Sequence, residues 1–251
     1  MTGKKLEGRV ALVTGGGKRI GQSTALRLAA EGASVAVNYR TSQAEAESVV
    51  NEIRNLPGTT APRGSPRAIA LQGDVSRRAD VQKMFEAIDR EFGRLDILVN
   101  NAGEFFSARF EDLTDEQWDG ILNVNLKSQF LCAQAATRRM KRQGWGRIIN
   151  ISSLGGLLAW PAYTHYCVSK AGVIMLTRCL ARALGPEILV NSVAPGTIEF
   201  PGEPPDQDYI QRVPLHRTGT GEDIADAVMY FATADFITGQ ILAVDGGRLL
   251  V

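Results

Sequence analysis

Arg9-Val-Ala-Leu-Val13, running straight into Thr14-Gly-Gly-Gly-Lys-Arg-Ile-Gly21, decides the fold. Val10 to Val13 are all apolar and end on a β-branched residue, the pattern of a strand buried on both faces. Glycines then turn the chain, and a helix is predicted over about Ile20 to Glu31. The same alternation continues outward. Ser34-Val-Ala-Val-Asn38, Ala68-Ile-Ala-Leu71, Leu95-Asp-Ile-Leu-Val99, Arg147-Ile-Ile-Asn-Ile151, Ile188-Leu-Val-Asn-Ser192 and Gln240-Ile-Leu-Ala-Val244 read as strands. Helical patterns lie between them, the second from Ser42 to about Asn55. Near-continuous apolar strands separated by helices predict a mostly parallel sheet with both faces covered. The expectation is a doubly wound α/β fold with seven strands, forming one domain over residues 1–251. Leu56 to Pro66, with three prolines and two glycines, extends neither neighbour and reads as an exposed loop.

Composition narrows the function classes. The chain has 251 residues, 44% hydrophobic and 22% charged, which suits a globular protein with a substantial core. A net charge of +1 offers no case for nucleic acid or acidic membranes as partners. The start, Met-Thr-Gly-Lys-Lys-Leu-Glu-Gly-Arg9, has no apolar stretch behind its basic residues. No apolar run approaches membrane-spanning length, so a soluble, cytoplasmic protein is expected. Cys132, Cys167 and Cys179 lack CxxC spacing, which argues against a disulfide framework and against a metal site. Packing is the plainer role for Cys167 too, although it adjoins the chemistry below.

The strand-turn-helix context of Thr14 to Gly21 is that of a Rossmann-type dinucleotide site. Glycines such as Gly15 and Gly17 let a pyrophosphate approach the backbone, and the helix N-terminus offers N–H groups and a positive dipole end. The second strand ends Asn38-Tyr39-Arg40-Thr41-Ser42, without the acid that holds a 2′-hydroxyl. Lys18 and Arg19 in the turn, with Arg40, Thr41 and Ser42, are expected to converge on a 2′-phosphate, so NADP(H) is preferred over NAD(H). Asp74-Val75 and Asn100-Asn101-Ala102-Gly103 follow the third and fourth strands, at carboxyl ends where ligands bind. Each is also ordinary turn chemistry when taken alone.

Tyr166-Cys-Val-Ser-Lys170 places a phenol and an ammonium four residues apart on one helix face. A cation nearby is expected to lower the phenol's pKa towards working pH, and the same ammonium can grip ribose hydroxyls. Ser153, just past a strand end, is placed to hydrogen-bond a substrate carbonyl, with Ser152 as its competitor. Asn125, in Leu122-Asn-Val-Asn-Leu126, is placed to hold a water passing protons from Lys170, with Asn123 nearby and a structural role as the other reading. His165 adjoins Tyr166 but points about 100° away around the helix.

These residues resemble the short-chain dehydrogenase/reductases of the single-domain kind, over nearly the whole chain. The resemblance runs through Thr14-Gly15…Ile20-Gly21, Asp74-Val75, Asn100-Asn-Ala-Gly103, Asn125, Ser153, Tyr166-x-x-x-Lys170, Asn191-Ser-Val-Ala-Pro-Gly196 and Ile237-Thr-Gly-Gln-Ile-Leu-Ala-Val-Asp-Gly-Gly247. It implies a catalytic quartet of Asn125, Ser153, Tyr166 and Lys170, in which Tyr166 protonates a carbonyl that takes up hydride. Tyr166, Lys170, Ile20, Pro195, Gly196 and Ile198 join the cofactor contacts by the same resemblance. Two departures stand out: Arg19 where the family turn usually has Gly, and Phe200 where a Thr often contacts the nicotinamide amide. Both are similar to features of pteridine-reductase-like members, and the turn also to 3-oxoacyl-carrier-protein-reductase-like ones.

The substrate walls are expected in Glu104 to Phe106, Leu157 to His165 and Phe200 to Arg212, with Phe105, Phe106, Trp160, Tyr163 and Phe200 forming an apolar, aromatic pocket. A small-molecule carbonyl substrate follows, with reduction of a ring C=N bond or a silent dinucleotide sensor as alternatives. The resemblance also implies a homotetramer, into which the apolar end Leu249-Leu-Val251 would fit.

Overall fold

The structure, a computed structural model, describes residues 4–56 and 67–251. Strands β1 (Val10–Val13), β2 (Ser34–Tyr39), β3 (Ala68–Gln72), β4 (Ile97–Asn100), β5 (Gly146–Ile151), β6 (Ile188–Pro195) and β7 (Ile241–Val244) form one sheet. Its order is β3-β2-β1-β4-β5-β6-β7, and each of the six pairings is parallel. Helices α1 (Arg19–Ala30), α2 (Gln43–Asn55), α3 (Arg78–Phe92), α4 (Asp115–Leu122), α5 (Ser128–Gln143), α6 (Thr164–Leu184), α7 (Gln207–Arg212) and α8 (Gly221–Thr233) accompany it. The segment read as an exposed loop, Leu56 to Pro66, lies outside the described residues beyond Leu56 itself.

Alternation along each strand explains the two-sided cover. Ala11 and Val13 of β1 pack into a core with α1, α2 and α8, whose Leu28, Ile53 and Val228 are fully buried. Val10 and Leu12 point the other way, into a core with α3, α5 and α6 that holds Phe85, Ile88 and Met140. The strand order reverses between β2 and β4, the two neighbours of β1. A crevice opens at the carboxyl ends there, which is where such sheets bind ligands.

The opposite, amino edge carries a closed charged cluster. Asp96 is fully buried and accepts from Arg9 at 3.0 Å, from Arg94 at 2.6 and 2.8 Å, and from the Val10 N–H at 2.9 Å. The Trp145 ring lies against the guanidinium carbons of Arg9 (3.8 Å) and Arg147 (4.3 Å), and Arg147 also pairs with Asp235 at 2.6 Å.

Candidate active site

The glycine turn is shaped for a close ligand. Gly15 has a φ of +60°, and a Cβ there would sit 3.1 Å from the Ala102 Cα. A Cβ on Gly21 would lie 2.2 Å from the Gly15 carbonyl oxygen, so no larger residue fits. Helix α1 starts with no side-chain cap and no acid in its first turn. Its leading N–H groups therefore suit an anion, and the cradle fits a dinucleotide pyrophosphate. Thr14 Oγ1 accepts from the N–H groups of Asn101 (2.9 Å) and Ala102 (3.0 Å). The Asn101 side chain donates back to the Thr14 and Gly15 carbonyls, which locks the β4 loop to the turn. Arg19, in place of the family's glycine, adopts a φ of +52°. That is a left-handed conformation costly for a residue with a Cβ.

The cations nominated for a 2′-phosphate do not converge on one point. Lys18 pairs with Glu45 of α2 at 2.6 Å, and Arg40 pairs with Glu104 of the β4 loop at 3.0 Å. Arg19 turns the other way, pairing with Glu203 and lying 4.9 Å over the Phe200 ring. Thr41 is exposed, and the Ser42 carbonyl accepts from Ala46 at the start of α2. Asp74 spends one carboxylate oxygen on its own turn, accepting from the Ser76 N–H at 2.9 Å and hydroxyl at 2.6 Å. Burial alone would raise its pKa, but those bonds and the charge of Arg40 hold it below the ordinary value. Val75 beside it is buried.

At the ends of β5 and α6 the chemistry-bearing side chains meet. Ser153 Oγ accepts from the Gly155 N–H at 3.1 Å and lies close enough to the Tyr166 phenol to pull its pKa down. Both serines line the cleft. The Ser152 hydroxyl, however, is taken into the sheet, donating to the Val193 carbonyl at 3.1 Å and accepting from Ser192 at 2.7 Å. That leaves Ser153 as the serine whose hydroxyl proton is uncommitted. Lys170 Nζ donates to the Ile151 carbonyl at 3.0 Å and lies 5.7 Å from the Tyr166 ring centre. The expected depression of the Tyr166 pKa is not found. Burial pushes the phenol up to about 12, outweighing the lowering influence of Ser153, and burial lowers Lys170 to about 8.

Asn125 sits in a wide π-helical turn, Asn123–Lys127, that joins α4 to α5. Such turns swing a side chain out of regular helical phase. Fully buried, Asn125 accepts from the Glu104 N–H (2.7 Å) and donates to the Glu104 carbonyl (3.0 Å) and to Ser169 Oγ (3.1 Å). The Ser169 hydroxyl in turn donates to the Tyr166 backbone carbonyl at 2.7 Å. The Asn125 side chain is thus a clamp on the β4 loop. Asn123 faces outward and accepts from Lys127.

A cleft of about 530 Å³ opens over this group. Phe105, Trp160 and Phe200 line it as expected, together with Ile20, Gly103, Pro195, Gly196 and Ile198. Phe105 meets the Tyr166 ring edge-on at 4.7 Å, and the Trp160 ring runs parallel to it at 6.2 Å. Two expected wall residues stand behind the wall. Tyr163 stacks on the back of Phe105 at 4.7 Å, and Phe106 turns away against His165 at 4.5 Å. His165 is fully buried with neither ring nitrogen hydrogen-bonded, and it takes no part in the cleft.

Sequence reasoning missed Leu154 and Arg248, and it covered Leu158 and Tyr209 only as unnamed members of the wall segments Leu157 to His165 and Phe200 to Arg212. Tyr209 reaches the cleft because α7 folds back and its hydroxyl donates to the Asp245 carbonyl at 2.6 Å, a contact between distant segments that leaves no local signal. No cluster of potential metal ligands occurs among the described residues.

Comparison with known proteins agrees with this geometry. A family model described as Enoyl-(Acyl carrier protein) reductase matches residues 16–248. The chain belongs to the short-chain dehydrogenase/reductase family, whose members are dinucleotide-dependent oxidoreductases. Among its relatives is the 3-oxoacyl-[acyl-carrier-protein] reductase FabG of Thermotoga maritima, 37% identical over 254 residues, covering 98% of this chain and all of that protein. The Staphylococcus aureus protein of the same name is 40% identical over 248 residues, 96% of this chain and 98% of its own. The crystal structure of a short chain dehydrogenase from Bacillus anthracis superposes with a TM-score of 0.87 at 36% identity, over 98% of each chain.

Proposed function

We propose that the protein is an NADP(H)-dependent reductase acting on the carbonyl of a small or mid-sized, apolar or aromatic molecule, with alcohol oxidation as the reverse. The observation that carries this reading is the arrangement of Ser153, Tyr166 and Lys170 at the floor of a cleft walled by Phe105 and Trp160. The dinucleotide, when bound along Gly15 to Ile20, the Asn101–Gly103 loop and Pro195 to Ile198, supplies the hydride. Ser153 orients the carbonyl oxygen and polarises it. Tyr166, whose burial keeps it a neutral phenol at working pH, donates the proton to that oxygen. Lys170, still cationic near neutrality, stabilises the phenolate left behind and holds the nicotinamide ribose. Asn125 positions the loop that carries Phe105.

NADPH oxidation against aromatic ketones, aliphatic ketones, 3-oxoacyl thioesters and dihydrobiopterin tests this reading. The relatives named as 3-oxoacyl reductases put thioesters in the panel. Turnover of dihydrobiopterin alone would replace carbonyl by C=N reduction, and tight cofactor binding without any turnover would make the chain a sensor. The preference for NADP(H) rests on Arg40 and Lys18 at the adenosine end and on the missing acid after β2. An Arg40→Asp enzyme that still prefers NADPH would sink it. We also propose a homotetramer, supported by the exposed Phe130, Val168 and Met175 on α5 and α6 and by Leu249 to Val251. A monomeric mass in light scattering contradicts that assembly.

A further inference from the structure

The β4 loop supplies an acid to the cofactor end of the site. Arg40 follows β2 and Glu104 follows β4, and the strand between them is β1, whose carboxyl end carries the glycine turn. The 3.0 Å ion pair of Arg40 and Glu104 therefore reaches across the crevice in which a dinucleotide must lie. Among the described residues it is the only ion pair Arg40 makes, and the other acid whose charge Arg40 feels, Asp74, is engaged with Ser76.

Resting on the NADP(H) reading above, we infer that Glu104 is a specificity-determining residue for the cofactor, an internal competitor that holds Arg40 until a 2′-phosphate takes its place. A carboxylate and a phosphate monoester present the same kind of oxygen pair to a guanidinium, and the phosphate carries the larger charge. Both side chains are about half exposed, so the exchange needs no unpacking. The backbone of Glu104 is pinned on both sides by Asn125, at 2.7 and 3.0 Å, which confines the exchange to side-chain rotation. A nucleotide without a 2′-phosphate does not contend for Arg40 and leaves the pair in place.

Titration calorimetry with adenosine 2′,5′-bisphosphate and adenosine 5′-monophosphate tests this without turnover. The unmodified protein binds the bisphosphate more tightly. Glu104→Gln tightens the bisphosphate about two- to fivefold, the range an exposed ion pair is worth, and leaves the monophosphate unchanged. Arg40→Gln brings the bisphosphate down to the level of the monophosphate, and adding Glu104→Gln to it then has no effect. If Glu104→Gln changes neither ligand, or tightens both equally, the competitor is overturned while the NADP(H) reading stands. If the unmodified protein fails to distinguish the two nucleotides, the NADP(H) reading fails, and this inference with it.

Discussion

The two edges of the sheet carry charge in opposite ways. At the amino edge, Asp96 is fully buried and meets Arg9, Arg94 and a backbone N–H, while the Trp145 ring lies against Arg9 again and against Arg147. At the carboxyl edge, Tyr166 and Lys170 are almost as buried, yet they face a cleft and their pKa values move in the directions burial dictates. One edge meets most of its charges with its own side chains and braces the fold, although the buried Arg147 Nε is left without a partner among the described residues. The other leaves them short of partners, so that a ligand completes the set.

Mutations should separate these edges cleanly. The largest effect is expected from Tyr166→Phe, which removes the proton donor and slows carbonyl reduction by about a thousandfold, the middle of the range for general acids. Its urea midpoint stays close to that of the unmodified protein, and a large fall there would mean that the phenol also braces the fold. At the other edge, Asp96→Ala strands Arg9 and Arg94 around an empty site. It should cost about 3 kcal/mol in denaturant unfolding, the low end for a broken buried pair because both arginines reach solvent. Its kcat/KM per folded molecule stays unchanged.

Acidity gives smaller tests. Lys170 is lowered to about 8, so it loses its proton earlier than an ordinary lysine, and reduction should weaken as pH rises through that value. Lys170→Arg should move that limb to higher pH in a pH-rate profile, and a limb that stays put assigns it to another group. His165, buried without hydrogen bonds, has its pKa lowered from 6.5 by burial. Its neutral form belongs to the folded state. Its contribution is therefore fully present above pH 6.5 and lost as pH falls towards the lowered folded value, with a slope no steeper than about 1.4 kcal/mol per pH unit. His165→Asn should flatten the acid side of a stability-against-pH curve. The smallest effect is expected from Arg19→Gly, which relieves a φ of +52° but loosens the unfolded chain, for a net gain under about 1 kcal/mol in thermal unfolding.

The braced edge and the sheet above it were legible because burial on both faces writes itself into each strand as a run of apolar residues. Boundaries slipped where side chains decide them: β6 runs on to Pro195, pairing with Val244, beyond the predicted end at Ser192. The glycine turn, Ser153, Tyr166 and Lys170 were legible from types and spacings. What stayed hidden depends on contacts between distant segments. Which of Phe105 and Phe106 enters the cleft follows from the Asn125 clamp on Glu104. The raised pKa of Tyr166 follows from how deeply α6 is packed, which the spacing of Tyr and Lys does not encode.

From Asp115 to Gln143 the chain never leaves helical conformation, with Asn123–Lys127 as its one wide turn. That turn amounts to a surplus of one residue in an otherwise regular rod. Each residue rotates a helix by about 100° and advances it about 1.5 Å, so deleting one there would regularise the backbone and turn one half of the rod against the other. A chain so shortened could keep Ser153, Tyr166 and Lys170 and still release the β4 loop. In this protein the length of a helix, counted to a single residue, carries information that a comparison of residue identities at the site passes over.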